Sequence, residues 1–270
     1  MTHSDPFNSQ KMLISVNSMQ RDKFTKPQGQ FQYFANVGLK INLKFGGLNH
    51  KLNSELPVIK EGKTMVVGYD VIHPTNLNVT KDEFPSQVGM VASVDSDLGQ
   101  WPAISWNQKG GQEMLDTTLT EAFKSRLRRW QAVNKQQLPE NILFFRDGVS
   151  EGQYSQVLTA ELPLIRAACQ NIYGSSKPQP KLTVVVSVKR HHVRFYPTAE
   201  AGRSSSGNTK SGTVVDRGVT LARYWDFFLT AHHALQGKKL RGRACRLPKA
   251  NIENRNLAAG ALYCYSRRNL

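Results

Sequence analysis

Long apolar runs are missing from this chain: none of about 18 or more residues occurs in its 270, so no membrane-spanning helix is expected. The opening MTHSDPFNSQ has neither a basic region nor an apolar signal core. Secretion is therefore not expected, and the compartment is read as cytoplasmic or nuclear, with no membrane partner. Cysteine is scarce too. Cys169, Cys245 and Cys264 are odd in number and far apart, which argues against a disulfide framework and a structural zinc site and for free thiols. Acidic residues are the third shortage, 20 against 36 Lys and Arg, leaving a formal charge of +16. Such an excess points to a polyanionic partner, because neutralising phosphates releases counterions, and nucleic acid is the natural candidate. The excess is uneven, since residues 238–270 hold nine Lys and Arg against Glu253 and carry half of it.

A hydrophobic content of 39% is enough for a core, in one large domain or two small ones. Phe34, Val37 and Ile41 recur at helical spacing before Gly46 and Gly47, which predicts a helix over 31–45. Strands are predicted at 65–70, 88–94 and 101–106, separated by turn-forming residues as in a meander. Leu115, Leu119, Phe123, Leu127 and Trp130 share one face of a helix that is expected to begin near Glu113. A strand at 142–145 follows, then a helix from Tyr154 to Ile172 kinked at Pro163, and a strand at 182–188. AGRSSSGNTKSG reads as a mobile loop, and a last apolar run spans 224–229. The order describes an α/β fold, a mixed sheet with flanking helices.

Two of the apolar runs end on an aspartate, MVVGYD at Asp70 and NILFFRD at Asp147. A carboxylate at the end of a buried strand needs a reason. Parallel neighbouring strands would bring both to one sheet edge, where a divalent metal such as Mg²⁺ finds carboxylate oxygens and completes its shell with water and substrate phosphate. The plainer reading is that each Asp starts a turn, as Asp before Gly148 often does. Glu113 alone reads as a first-turn carboxylate favouring the helix dipole, and spacing does not select it over Asp116 or Glu121. In KRHHVR, Arg190 and Arg194 suit phosphates, whereas a solvated strand end explains the cluster equally. Lys40 and Lys44 share a helix face that holds one phosphate or simply meets water.

The succession QYFANVGLKINLKFGGLNH, VVGYDVIHP, ILFFRDGVSEGQY, VVVSVKRHHVRF, GTVVD and FFLTAHHALQG resembles the PIWI region of eukaryotic Argonaute proteins over about residues 20–237. The resemblance implies an RNase H-like fold that holds a small guide RNA and cuts complementary target RNA by divalent-metal hydrolysis, with silencing-complex proteins as further partners. By position, Asp70 and Asp147 match the family's catalytic, metal-binding aspartates and Glu113 its glutamate finger. Lys40 and Lys44 match lysines at the guide 5′ phosphate, with Asn36 a nearby polar contact. Arg190 lies in the matching KRHH, and Arg194 and His232 align with guide-backbone contacts.

By the same resemblance, residues 1–60 are expected to be a remnant of the MID domain and the MID–PIWI junction, and 61–237 a partial PIWI domain. Residues 238–270 match nothing in the family and are expected to stand outside the fold as a divergent basic tail, with no residue assignable as the family's fourth metal ligand. The isolated chain is accordingly expected to be inactive or poorly folded. The alternatives are a non-catalytic fragment that binds RNA or Argonaute partners, and a truncated gene product without function.

Overall fold

Every second residue of the segment Ser86–Ala92 is buried, namely Ser86, Val88, Met90 and Ala92, as a strand with one face on a core requires. This is β2, and it pairs antiparallel with β1 (Thr64–Ile72) and β3 (Ala103–Gln108) in the expected meander. β4 (Asn141–Asp147) lies parallel to β1, and β5 (Lys181–Val188) parallel to β4. Three further strands, β6 (Val214–Val215), β7 (Trp225–Leu229) and β8 (Arg243–Leu247), complete a sheet ordered β3-β2-β1-β4-β5-β8-β7-β6. The computed structural model describes residues 28–51, 56–61, 63–74, 84–188, 191–220, 225–231 and 243–247, with Thr25 and Asn53.

Helices flank both faces. α1 (Gln30–Lys44) buries none of its residues, while α2 (Pro57–Lys60) sets Ile59, beside Leu56, against Val66 on one face of the sheet. On the other face, α3 (Thr118–Val133) and α4 (Leu162–Tyr173) pack together. Leu119, Phe123, Leu127 and Trp130 of α3 meet Ile165, Ala168 and Cys169 of α4 over Met65, Val67, Ile142 and Phe144. The Phe123 and Phe144 rings meet edge to face at 5.0 Å, an arrangement aromatic quadrupoles favour. No helix among the described residues is long and apolar enough to cross a membrane.

Several expectations are corrected. The helix expected near Glu113 starts at Thr118, because Asp116 Oδ1 accepts the Thr118 N–H at 2.9 Å and satisfies a first-turn donor there. Glu113 and the buried Leu115 therefore lie in the loop before α3, and the dipole reading of Glu113 falls away. The helix expected from Tyr154 to Ile172 is continuous from Tyr154 to Tyr173, with Pro163 inside it at the second residue of α4. The irregularity comes earlier, as a π-helical turn at Val157–Glu161 that leads into α4. The Ser-rich loop expected to be mobile is folded back on itself: Arg203 bridges Thr209, the Ser204 N–H donates to the Asn208 carbonyl at 2.7 Å, and Asn208 is buried. Arg243–Leu247 falls in the segment expected to stand outside the fold, yet as β8 it ladders between β5 and β7.

Candidate active site at the carboxyl edge of the sheet

β1 and β4 run in register from Thr64 opposite Asn141 to Tyr69 opposite Arg146, so the next step sets Asp70 beside Asp147. Both carboxylates are half-buried at the edge where these parallel strands end. Asp70 Oδ1 accepts the Val71 N–H at 2.9 Å, which fixes its rotamer. The chain turns out of β4 through Gly148 at φ +94°, in the left-handed region that glycine enters without steric cost. A Cβ there would lie 3.1 Å from Asp70 Oδ1 and 3.6 Å from Glu113 Oε1, so glycine keeps this space open between the two carboxylates.

Glu113 comes from outside the sheet, on the loop between β3 and α3, and both of its carboxylate oxygens are engaged. Oε1 accepts from Arg146 Nη2 at 3.0 Å, and Oε2 pairs with His73 Nε2 at 2.8 Å. The far nitrogen of His73 meets the buried Ser86 hydroxyl at 2.8 Å, so the ring is held from both sides. Arg146 itself is wholly buried, since β4 turns Ile142, Phe144 and Arg146 to the same inner face. Its charge is matched by Glu161, also wholly buried, through Nε–Oε2 and Nη2–Oε1 contacts of 3.2 Å each. Nη1 donates to the Asp147 carbonyl and Nη2 to the Glu113 carbonyl at 2.8 Å.

Glu161 is completed by the Tyr69 hydroxyl, which donates to Oε2 at 2.9 Å, and by the Leu115 N–H, which donates to Oε1 at 3.1 Å. Burial works against the charge on Arg146, but Glu161, then Tyr69 and Glu113, outweigh it and hold the guanidinium above its ordinary pKa. Burial and then the Glu161 carboxylate push the Tyr69 phenol well above its ordinary value. A fully hydrogen-bonded buried ion pair of this kind is a rigid support for whatever it touches.

Of the residues singled out in the sequence, Asp70, Glu113 and Asp147 converge on this edge. Asn36, Lys40 and Lys44 lie on exposed α1, where Asn36 Oδ1 accepts from Gln32 Nε2 at 3.4 Å. The chain just beyond α1 is tied elsewhere: Gln100, in the loop between β2 and β3 at the opposite edge, donates to the Gly46 and Gly47 carbonyls at 2.8 and 2.7 Å. Exposed Arg194 follows β5 on the carboxyl side and donates to the His191 and Val193 carbonyls at 2.7 and 2.8 Å. Arg190 and His232 lie outside the described residues. Sequence reasoning missed His73, Arg146 and Glu161. Parity held a signal for Arg146, because a cation two residues beyond buried Phe144 on one strand face must be paired.

Among the described residues, no group of three or more His, Cys, Asp and Glu is arranged to enclose a metal ion. Two adjacent strand-end carboxylates beside space kept open by Gly148 fit Mg²⁺ or Mn²⁺ nonetheless, because Mg²⁺ binds through one or two carboxylates and takes its remaining oxygens from water and phosphate.

The chain matches the family model described as Piwi domain over residues 7–239. It is 37% identical over 210 residues to the protein argonaute of Schizosaccharomyces pombe, an alignment covering 78% of this chain and 24% of that protein. The C-terminal lobe of a budding yeast Argonaute superposes with a TM-score of 0.73 at 33% identity, covering 87% of this chain and 49% of that one. Kluyveromyces polysporus Argonaute, solved with a guide RNA, gives 0.71 at 33% identity over 87% of this chain and 28% of that one. The chain thus spans about a quarter of the length of the first curated relative it matches, 24%. The mixed sheet with its flanking helices is the RNase H-like architecture of those lobes. With the family model matched over most of its residues, this chain belongs to the Piwi-domain family.

Proposed function

We propose that this chain serves small-RNA-guided silencing, binding a guide RNA and cutting complementary RNA at the edge formed by Asp70 and Asp147. The observation that carries the reading is the in-register placement of these two aspartates on parallel strands with Glu113 braced beside them. A divalent ion held by Asp70 and Asp147 would activate water and stabilise the leaving oxygen of a phosphodiester. Arg146 and His73 hold Glu113 in one orientation, so its carboxylate reaches the scissile region without searching rotamers. Lys40, Lys44, Asn36, Arg190, Arg194 and His232 are proposed to contact the RNA backbone, leaving sequence choice to base pairing. The guide RNA in the Kluyveromyces polysporus structure supports guide binding as a reading for this chain.

The test, which also decides between slicing and the inactivity expected of the isolated chain from its unassigned fourth metal ligand, is single-turnover cleavage of guide-matched RNA by the full chain in Mg²⁺ and in Mn²⁺. Cutting at one position, abolished by Asp70→Asn and by Asp147→Asn with RNA affinity retained, is the expected outcome. A second reading, binding without cutting, rests on the exposed cations Lys40, Lys44 and Arg194, which can hold RNA whether or not the edge cuts. RNA bound by the wild-type chain and left intact in both metals would establish it and end the slicing reading.

A further inference from the structure

Residues 109–115 carry Glu113 between β3 and α3 outside any regular helix or strand, yet side chains from four separate segments bind their backbone. Ser86 Oγ of β2 accepts the Gly111 N–H at 3.0 Å. Arg146 of β4 donates to the Glu113 carbonyl, and Glu161 of the π turn accepts the Leu115 N–H. The fourth side chain is Gln108, the last residue of β3, whose Nε2 donates to the carbonyls of Gln112 at 2.7 Å and Met114 at 3.3 Å. Three consecutive carbonyls, those of Gln112, Glu113 and Met114, thus accept from side chains; Gln108 reaches the two that flank Glu113, sharing that of Met114 with Gln112 Nε2 at 2.8 Å.

Gln108 is buried, and its Oε1 has no hydrogen-bond partner among the described residues. The amide cannot be turned over to relieve that, because an oxygen in place of Nε2 would face two carbonyl oxygens. A buried amide that leaves its acceptor unmatched while aiming its donor at the loop is spending desolvation on loop position. We infer that Gln108 is a positioning residue for the cleavage centre, a backbone clamp that fixes the height of the loop and so the place of the Glu113 carboxylate. The inference rests on the slicing reading of this site.

The test compares Gln108→Met, which keeps volume and loses both donors, with Gln108→Glu, which keeps shape and presents only acceptors. Backbone amide exchange of the full chain is followed over residues 109–117, with β2 and β3 as internal reference. Both variants are expected to speed exchange of the loop about tenfold, the scale of one or two net hydrogen bonds, while β2 and β3 stay as protected as in the wild type. In guide-directed cleavage the single-turnover rate is expected to fall about tenfold with the half-saturating target concentration unchanged. Loop exchange at the wild-type rate overturns the inference, and so does protection lost equally across β2 and β3. A wild-type chain that cuts nothing removes the slicing reading alone, and the exchange result then decides the clamp by itself.

Discussion

The Arg146 guanidinium binds Glu113 twice through the same nitrogen, Nη2, at 3.0 Å to the carboxylate and 2.8 Å to the backbone carbonyl. Arg146 in turn rests on Glu161, so the position of a carboxylate that is 19% exposed depends on an ion pair with no exposure at all. Removing one partner of such a pair leaves an uncompensated buried charge, which costs about 3–5 kcal/mol. Arg146→Met is therefore expected to lower the urea midpoint by that scale with little change in slope. Arg146→Met combined with Glu161→Met is expected to regain most of the stability and none of the cleavage. A double variant no more stable than Arg146→Met would show that the pair is not the source of the loss.

The strands and helices around this site were legible because their burial repeats at periods of 2 and 3.6. Thus Val88 and Met90 announce β2, and Leu119, Phe123 and Leu127 announce α3. Asp70 and Asp147 were legible as charges at the ends of apolar runs, and only the parallel register of β1 and β4 joins them into one site. Glu113 was misplaced onto a helix because Leu115 continues the apolar period of α3 backwards, whereas the helix starts only at Thr118, whose N–H donates to Asp116 Oδ1. His73 and Glu161 stayed hidden for a different reason. Each acts through a partner distant in sequence, Glu113 for His73 and Arg146 and Tyr69 for Glu161, and no local pattern encodes such contacts.

Gly148 takes a φ of +94° against the Asp70 carboxylate, which gives it two separate sensitivities. Gly148→Ala forces an L side chain into left-handed backbone, at about 1–2 kcal/mol. It also sets a methyl 3.1 Å from Asp70 Oδ1, tighter than an ordinary contact. Thermal denaturation should show the modest loss of stability. Cleavage should fall well beyond it, because the methyl occupies space beside the carboxylate. A variant whose activity loss is fully accounted for by its unfolded fraction would deny the site role.

Burial pushes the Cys169 thiol up from its ordinary 9.0 to about 12, and raises Tyr69 and Tyr173 as well. Below pH 9 folded and unfolded chains both keep the thiol proton, and the group has no effect on stability. Between pH 9 and about 12 the unfolded chain releases a proton that the folded chain retains, so stability falls as pH rises through that window. Urea midpoints measured from pH 8 to 10.5 are expected to decline, and Cys169→Ala should flatten the first part of the decline from a lower starting stability. Parallel pH curves for wild type and Cys169→Ala would rule out the thiol as a source.

If the backbone contacts proposed for the RNA are ionic, they must register in salt dependence as well as in affinity. Each phosphate contact on a single strand contributes about −0.7 to the slope of log K against log salt concentration. Lys40→Ala, Lys44→Ala and Arg194→Ala, each on an exposed segment away from the core, are expected to weaken guide binding and flatten that slope by about one such increment apiece. Asp147→Asn is the counter-experiment, since it lies at the cutting edge and is expected to leave the slope unchanged. Affinity measured by filter binding from 50 to 300 mM salt would separate the two sets. An unchanged slope in all three basic variants would place the RNA on another surface of the chain.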